Sequence, residues 1–229
     1  MAGFELSKDD WKFINEIDAR FPERKIAENF ADYTDKDARV RPAVAAFKMN
    51  FIERAGWKRI GVPGRVQSLS NHVETLREMK SLVPQWRTPD YLARMFEVHD
   101  TAEVITGDFT PVDNISHDEK LRLERLAVNI IFESQPEKIA LWEEYEEATS
   151  PEARLAKDLD KLEVVFEAEI VEAKHPHLKP QLDEFRESVR SMLRSDRGIQ
   201  IFAYLENTAD QGGTMSKYAR IANTARNFG

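Results

Sequence analysis

The sequence predicts an all-helical protein. Apolar residues recur at three- and four-residue spacing through most of the chain, which is the pattern of amphipathic helices. Residues that favour helix ends separate these segments: Ser7, Ser116 and Ser150 each precede an amphipathic run and are expected N-caps, and Pro151 suits a first helical position. The sequence contains no clear alternation of apolar and polar residues of the kind that marks a half-buried strand.

The predicted helices are separated by short breaks, except for one longer loop. A stretch rich in Gly and interrupted by Pro63 is expected to be a loop between the third and fourth helices. In chain order, the predicted helical segments cover about residues 1–20, 22–30, 43–55, 70–82, 87–107, 116–131, 136–145, 150–173, 182–193 and 198–206.

Composition limits the classes of function. The chain has 229 residues, 41% of them hydrophobic and 32% charged, which is typical of a globular protein with a substantial core. A net charge of −8 argues against a nucleic-acid polymer or an anionic membrane as partner. Cysteine is absent, so a metal site would have to use His and carboxylate ligands. Without an apolar leader or an 18-residue apolar run, a cytoplasmic location is expected.

Charged and imidazole side chains interrupt an apolar stretch near the middle of the chain, FEVHDTAEVITGDFTP at residues 96–111. Most of this stretch is predicted to be one helix that ends at Gly107. His99 and Glu103 lie four apart and would share a helix face, with Asp100 beside them. Burying carboxylates and imidazoles costs folding free energy unless a partner of opposite charge or a hydrogen bond compensates, and a divalent cation is one such partner.

Further ligands must come from other helices. His72 lies in the first turn of its helix among apolar neighbours and is the first candidate. The long helix that begins at Ser150 carries Asp158 and Asp160, which point about 200° apart around its axis. The apolar face of this helix lies nearer to Asp158, so periodicity favours Asp158 as the metal ligand. Periodicity does not exclude Asp160, and both carboxylates remain candidate ligands.

The ordered set His72, His99-Asp100, Asp160 resembles the H…HD…D signature of HD-domain phosphohydrolases. The blocks SLSNH, VHDTAEVITGDFTP and ALWEEYEEATSPEARLAKDLDKLE are similar to the 5′-deoxynucleotidase subgroup. The resemblance covers about residues 45–172. The chain is expected to form a single HD-type helical domain over residues 1–205, with this range as its core and terminal extensions on either side. The remaining residues, 206–229, are expected to form a loosely held polar C-terminal tail. Where relatives carry Asp or Glu directly before the first metal histidine, this chain has Asn71.

The resemblance implies roles for particular residues. The family pattern places the fourth metal ligand on Asp160 instead of Asp158. It implies that Glu103 acts as an acid or base and that Asp108 supports the site. The phosphate-binding cation is open among Arg54, Arg59 and Arg65, with Lys58 as a further candidate. Trp57 either stacks on the substrate or is packed in the core. The implied metal ligands are His72, His99, Asp100 and Asp160; the implied catalytic residues are Glu103 and Asp108; the candidate substrate-binding residues are Arg54, Trp57, Arg59 and Arg65.

The resemblance implies a metal-dependent phosphohydrolase that removes the 5′-phosphate from deoxyribonucleoside 5′-monophosphates. One divalent ion is expected, and a set of His and oxygen ligands suits Mn, Co, Fe, Ni or Zn. The alternatives are a dNTP triphosphohydrolase of the same fold, a guanosine tetraphosphate hydrolase, which ranks third, and a non-catalytic HD-fold nucleotide-binding module. The terminal segments outside the resemblance carry apolar residues that predict a homodimer contact or a lid.

Overall fold

A computed structural model describes residues 4–83, 89–209 and 216–228 of the chain. These residues are mostly helical and form no β-sheet; an isolated antiparallel bridge joins Glu53 and Ser68. The prediction of an all-helical fold is confirmed. None of the described helices combines the length and the apolar character that a membrane crossing requires. The α-helices are α1 Lys8–Arg20, α2 Ile26–Thr34, α3 Arg41–Lys48, α4 Ala55–Arg59, α5 Leu69–Met79, α6 Pro89–Val98, α7 Glu103–Thr106, α8 His117–Ile131, α9 Pro136–Glu147, α10 Pro151–Lys174, α11 Lys179–Met192, α12 Asp196–Asn207 and α13 Lys217–Phe228.

Side-chain caps begin three of the helices where the sequence predicts them. Ser7 starts α1 and Ser116 starts α8 with a capping box, in which the serine hydroxyl accepts from the third helical N–H and an acidic side chain returns the bond. The Ser150 hydroxyl caps α10 by accepting from the Ala153 N–H, and Pro151 occupies the first helical position. These caps satisfy N–H groups that have no partner within the helix.

The chain divides into two compact units. The first unit comprises residues 1–56, 68–70 and 98–143. Its helix α2 packs against α1, α7 and α8, and α3 packs against α8. Large apolar side chains from these helices are fully buried, and they form the core of the first unit: Ile14, Ile17, Phe30, Tyr33, Ile105, Leu123, Ile130 and Ile131.

The second unit comprises residues 57–67, 71–97 and 144–229 and is built around α10. This helix has 24 residues and packs against α11, α12 and α13. Because it is covered by neighbours, acidic side chains as well as apolar ones are buried along it, including Asp158, Asp160, Glu163 and Glu169. Buried carboxylates require partners, so this helix is where the polar contacts of the second unit concentrate.

The prediction of one continuous central helix over residues 87–107 is wrong in one respect. Its predicted start at 87–88 lies outside the described residues, and the described part is broken in two, because α6 ends at Val98 and α7 begins at Glu103. Between them, Thr101 and Glu103 donate to carbonyls three residues earlier, which is the bonding of tight turns. The His99 carbonyl accepts from the Trp142 indole at 3.1 Å, a bond that takes the place of a helical one.

The C-terminal segment also differs from the prediction of a loosely held tail. Residues 210–215 and 229 lie outside the described residues, but 217–228 form α13, in which Arg220, Ile221 and Thr224 are buried. Arg220 makes two hydrogen bonds to the buried Glu169 of α10, at 2.9 and 3.0 Å. The polar composition of this segment hid the few residues that anchor it. Helix α13 belongs to the second unit, where it packs against α10 and α12.

Candidate functional site

In the second unit, His72 lies between two carboxylates of α10. Its side chain is fully buried on α5. The ring Nδ1 is 3.0 Å from Glu163 Oε2, and Nε2 is 3.0 Å from Asp160 Oδ1. Asp160 and Glu163 are three residues apart, so they project from one face of α10. Carboxylates on both ring nitrogens suit either a doubly protonated imidazole or a cation shared by Nε2 and Asp160.

Glu163 is held by donors from three parts of the second unit. His72 contacts Oε2, and the Gln67 amide Nε2 donates to Oε1 at 2.7 Å. The Lys217 ammonium of α13 lies 3.3 Å from the same Oε1. Burial by itself would raise the pKa of Glu163, but the His72 ring, Lys217 and the hydrogen bonds from His72 and Gln67 outweigh it and lower the pKa to about 2. The carboxylate is therefore ionised at neutral pH.

The structure separates the two aspartates of α10 that the sequence left open. Asp158 accepts hydrogen bonds from the backbone N–H groups of Arg194 at 3.0 Å and Ser195 at 2.7 Å, just before α12. A Cβ added at Gly198 would lie 2.5 Å from Asp158 Oδ2, so this carboxylate is packed closely against α12. Asp158 thus organises the start of α12, whereas Asp160 faces His72. Periodicity favoured Asp158 because the apolar face of α10 also packs against other helices.

In the first unit, His99 and Asp100 lie in the turn between α6 and α7. The His99 side chain is 1% exposed, and its Nε2 is 3.1 Å from Asp100 Oδ2. The same carboxylate oxygen accepts from Arg54 Nη1 at 2.9 Å. Since the helix is broken here, the Trp142 contact to the His99 carbonyl and the Arg54 contact to Asp100 orient the pair in place of a helical frame.

Glu103 begins α7 and is buried in the first unit. It is 5% exposed, and no donor among the described residues reaches its Oε2. Burial raises the pKa of its carboxyl well above the ordinary value, and the Asp100 and Asp108 carboxylates raise it further, against the opposing effect of Lys120 and Arg54. A buried carboxyl with a free oxygen and a raised pKa is suited to proton transfer.

Asp108 supports the segment that carries Arg54. Its Oδ2 accepts from the Ala55 N–H at 2.7 Å, which holds the start of α4 beside the end of α7. Arg24 donates to the Asp108 carbonyl at 3.0 Å and lies over the Phe109 ring at 4.0 Å. A side chain at Gly107 would meet Arg24, since a Cβ there would lie 2.6 Å from Arg24 Nη1. Glycine at this position, where φ is +76°, therefore permits the arginine contact.

The candidate substrate-binding residues differ in burial and in the partners they contact within their own units. Arg54 contacts Asp100 in the first unit, while Arg59 and Arg65 belong to the second unit and are exposed. Trp57 is 4% exposed and lies in an apolar cluster of the second unit, with its ring centroid 5.4 Å from that of Phe185. The packed alternative for Trp57 agrees with this burial.

Sequence reasoning missed the residues that brace the candidate ligands. Their signals were weak because each lies far along the chain from the group that it supports. One signal was available: Glu163 follows Asp160 by three positions, the spacing at which two carboxylates share a helix face. The missed residues are Glu163, which contacts His72, Gln67 and Lys217, which contact Glu163, and Arg24, which contacts Asp108.

Comparison with known proteins identifies the family. The family described as HD domain matches residues 46–197. The human protein named 5′-deoxynucleotidase HDDC2 is 34% identical over 161 residues, which cover 68% of this chain and 78% of that protein. The Dictyostelium discoideum protein of the same name is 34% identical over 160 residues, covering 62% of this chain and 83% of that protein.

A solved structure has a fold similar to that of this chain. The crystal structure of a Pyrococcus horikoshii OT3 protein superposes with a TM-score of 0.59 at 25% identity, covering 77% of this chain and 99% of that one. The residues His72, His99, Asp100 and Asp160 all fall within the matched range 46–197. This chain belongs to the HD-domain family and is similar to its 5′-deoxynucleotidase members.

Proposed function

We propose that this chain hydrolyses the 5′-phosphate of deoxyribonucleoside 5′-monophosphates, and that His72, His99, Asp100 and Asp160 hold one divalent metal ion. The observation that carries the proposal is the HD-domain match, which spans all four residues, together with relatives named 5′-deoxynucleotidase at 34% identity. The HD domain is metal-dependent. The identity of the ion and the assignment of its ligands are part of the proposal.

The donors in each unit fit a divalent ion. In the second unit, the buried His72 directs Nε2 to the Asp160 carboxylate while Glu163 holds Nδ1, which is the arrangement of a metal-ligating histidine with its supporting carboxylate. In the first unit, the buried His99 lies against the Asp100 carboxylate. Imidazole and carboxylate donors without sulfur suit Mn, Co, Fe, Ni or Zn. Such an ion, when bound, would polarise the phosphoryl group and lower the pKa of water.

Protein groups of the first unit would handle the proton and the phosphate. Glu103 keeps one buried oxygen without a donor among the described residues, so it is able to accept or deliver a proton where water attacks. Arg54, already beside Asp100, is placed to hold a phosphate oxygen by a charge-assisted hydrogen bond. Asp108 acts indirectly by holding the Ala55 backbone, and with it the neighbouring Arg54.

A cytoplasmic homodimer is part of the same proposal. Phe47 and Phe51 are 65% and 66% exposed, and their rings meet edge to face at 5.1 Å. Exposed aromatic pairs of this kind often mark an interaction surface, and a second copy of the chain is the proposed occupant. In sedimentation equilibrium, the wild-type protein is expected to be a dimer and the Phe47→Ser, Phe51→Ser double variant a monomer. A monomeric wild type would contradict the proposed homodimer.

The direct test is a substrate panel with the purified protein and added Mn²⁺ or Co²⁺. Deoxyribonucleoside monophosphates should release inorganic phosphate faster than ribonucleotides, dNTPs or guanosine tetraphosphate. Glu103→Gln should lower turnover about 10²–10⁴-fold, because it removes a proton-transfer group. Metal content measured by atomic emission should stay unchanged, since Glu103 is not a proposed ligand.

Each other result of this panel has a defined meaning. Release of tripolyphosphate from dNTPs, with no monophosphate hydrolysis, would replace the proposal with a triphosphohydrolase. Metal binding without turnover of any substrate would indicate a nucleotide-binding module. Loss of metal in Glu103→Gln would move this residue into the ligand set.

The two aspartates of α10 provide a matched pair of variants. Asp160→Asn should abolish turnover and weaken metal binding, because the Asp160 carboxylate faces His72 Nε2 and is a proposed ligand. Asp158→Asn should keep metal binding but lower the free energy of unfolding by about 1–3 kcal/mol, since its hydrogen bonds start α12. Urea unfolding and metal titration of both variants separate the two roles, and the reverse pattern would assign the ligand to Asp158.

Arg54 and Arg59 test which cation holds the phosphate. Arg54→Ala should lower kcat/KM about 10–100-fold, as expected for loss of a charge-assisted hydrogen bond of about 1.5–3 kcal/mol. Arg59→Ala, which removes an exposed charge of the second unit, should change kcat/KM less than about 3-fold. Equal losses in both variants would argue for a general effect of charge on substrate binding.

A further inference from the structure

Two cations of α13 reach two buried glutamates of α10. Arg220 pairs with Glu169 through two hydrogen bonds, and Lys217 contacts Glu163 at 3.3 Å and also the Glu167 carboxylate. Both cations are largely buried, with side chains 1% and 15% exposed. The two contacts look alike as anchors of the helix, but they differ in what the glutamate touches next.

Of these two glutamates, the one that Lys217 contacts, Glu163, also contacts a proposed metal ligand. Glu163 Oε1 receives Lys217 and Gln67, while Glu163 Oε2 lies 3.0 Å from His72 Nδ1. The Glu163 side chain is 1% exposed, so water has little access to replace a lost donor. On the other side, the hydrogen bonds of Arg220 lead to Glu169 and to Thr208, neither of which is a proposed ligand.

A carboxylate can fix the orientation of an imidazole ring only when the carboxylate side chain is itself restricted to one conformation. A glutamate side chain has three rotatable bonds, and donors at both of its oxygens restrict them. With Glu163 held, the Nδ1–H of His72 points at Oε2, and Nε2 remains directed at Asp160. Supporting groups of this kind typically change metal affinity or activity by 10–100-fold when removed.

We propose that Lys217 is a positioning residue that acts through Glu163 on His72, so that α13 is a functional part of the metal site. The matched family range ends at residue 197, and α13 lies beyond it. The proposal rests on the proposed function in one respect, since it takes His72 to be a ligand. It extends the site to a segment whose composition predicted a polar tail.

The test compares Lys217→Met with Arg220→Gln, two variants that each remove a cation of α13 from a buried glutamate of α10. Lys217→Met should weaken Co²⁺ binding about 10–100-fold in a calorimetric titration, and Lys217→Arg should restore most of the affinity. Arg220→Gln should bind Co²⁺ within about 3-fold of wild type, although it should unfold at a lower temperature because it leaves Glu169 without its partner. Titrations are run below the unfolding transition of every variant.

A second readout follows the His72 ring without any metal. In metal-free wild-type protein, the Nδ1–H proton should give a downfield NMR signal that exchanges slowly with solvent, because Glu163 accepts it. Lys217→Met should lose this slow exchange, while Arg220→Gln should keep it.

The outcomes separate this inference from the proposed function. Unchanged Co²⁺ affinity together with a retained slow proton in Lys217→Met would overturn the positioning role. Equal losses in Lys217→Met and Arg220→Gln would overturn it as well, by showing that α13 acts only through general packing. If wild-type protein binds no Co²⁺ and hydrolyses no nucleotide, the proposed function fails, and the ring-proton signal alone decides whether Lys217 positions His72.

Discussion

The burial of His72 between two carboxylates is the constraint on which the second unit depends. An imidazole and two acidic groups removed from water are stable only if each finds a partner. Here Glu163 takes Nδ1 and Asp160 faces Nε2, and Glu163 in turn draws Gln67 and Lys217 toward itself. Helix α10 supplies both carboxylates, and α13 supplies the lysine, so the chain far from His72 determines how that ring is held.

In the first unit, different groups serve as partners for the buried ionisable side chains. Asp100 is paired by Arg54, and the His99 backbone is held by Trp142. Glu103 differs, because burial and two neighbouring carboxylates raise its pKa while one of its oxygens has no donor among the described residues. A group kept in this state costs stability, and a proton-transfer role is a physical reason to retain it.

Some expectations from the sequence were confirmed and others were wrong for identifiable reasons. The helices with strong caps, at Ser7, Ser116 and Ser150, begin where predicted because a cap is a local interaction. The central helix is broken at His99 because a tertiary contact from Trp142 occupies its carbonyl, which no local pattern reports. Periodicity favoured Asp158 over Asp160, and which of the two is a metal ligand stays a prediction; Asp160 faces His72, whereas Asp158 accepts hydrogen bonds at the start of α12.

The sequence by itself determined the helical class, because periodicity and caps are local properties of the chain. It also determined the HD-domain family, through the resemblance carried by the ordered residues His72, His99, Asp100 and Asp160. Only the tertiary structure decided which aspartate of α10 faces His72, that Arg54 lies beside Asp100, and that α13 reaches Glu163. The residues joined by these contacts are 88 positions apart for His72 and Asp160, 46 for Arg54 and Asp100, and 54 for Lys217 and Glu163. Their partners are selected by packing of whole helices, and sequence spacing carries no information about that choice.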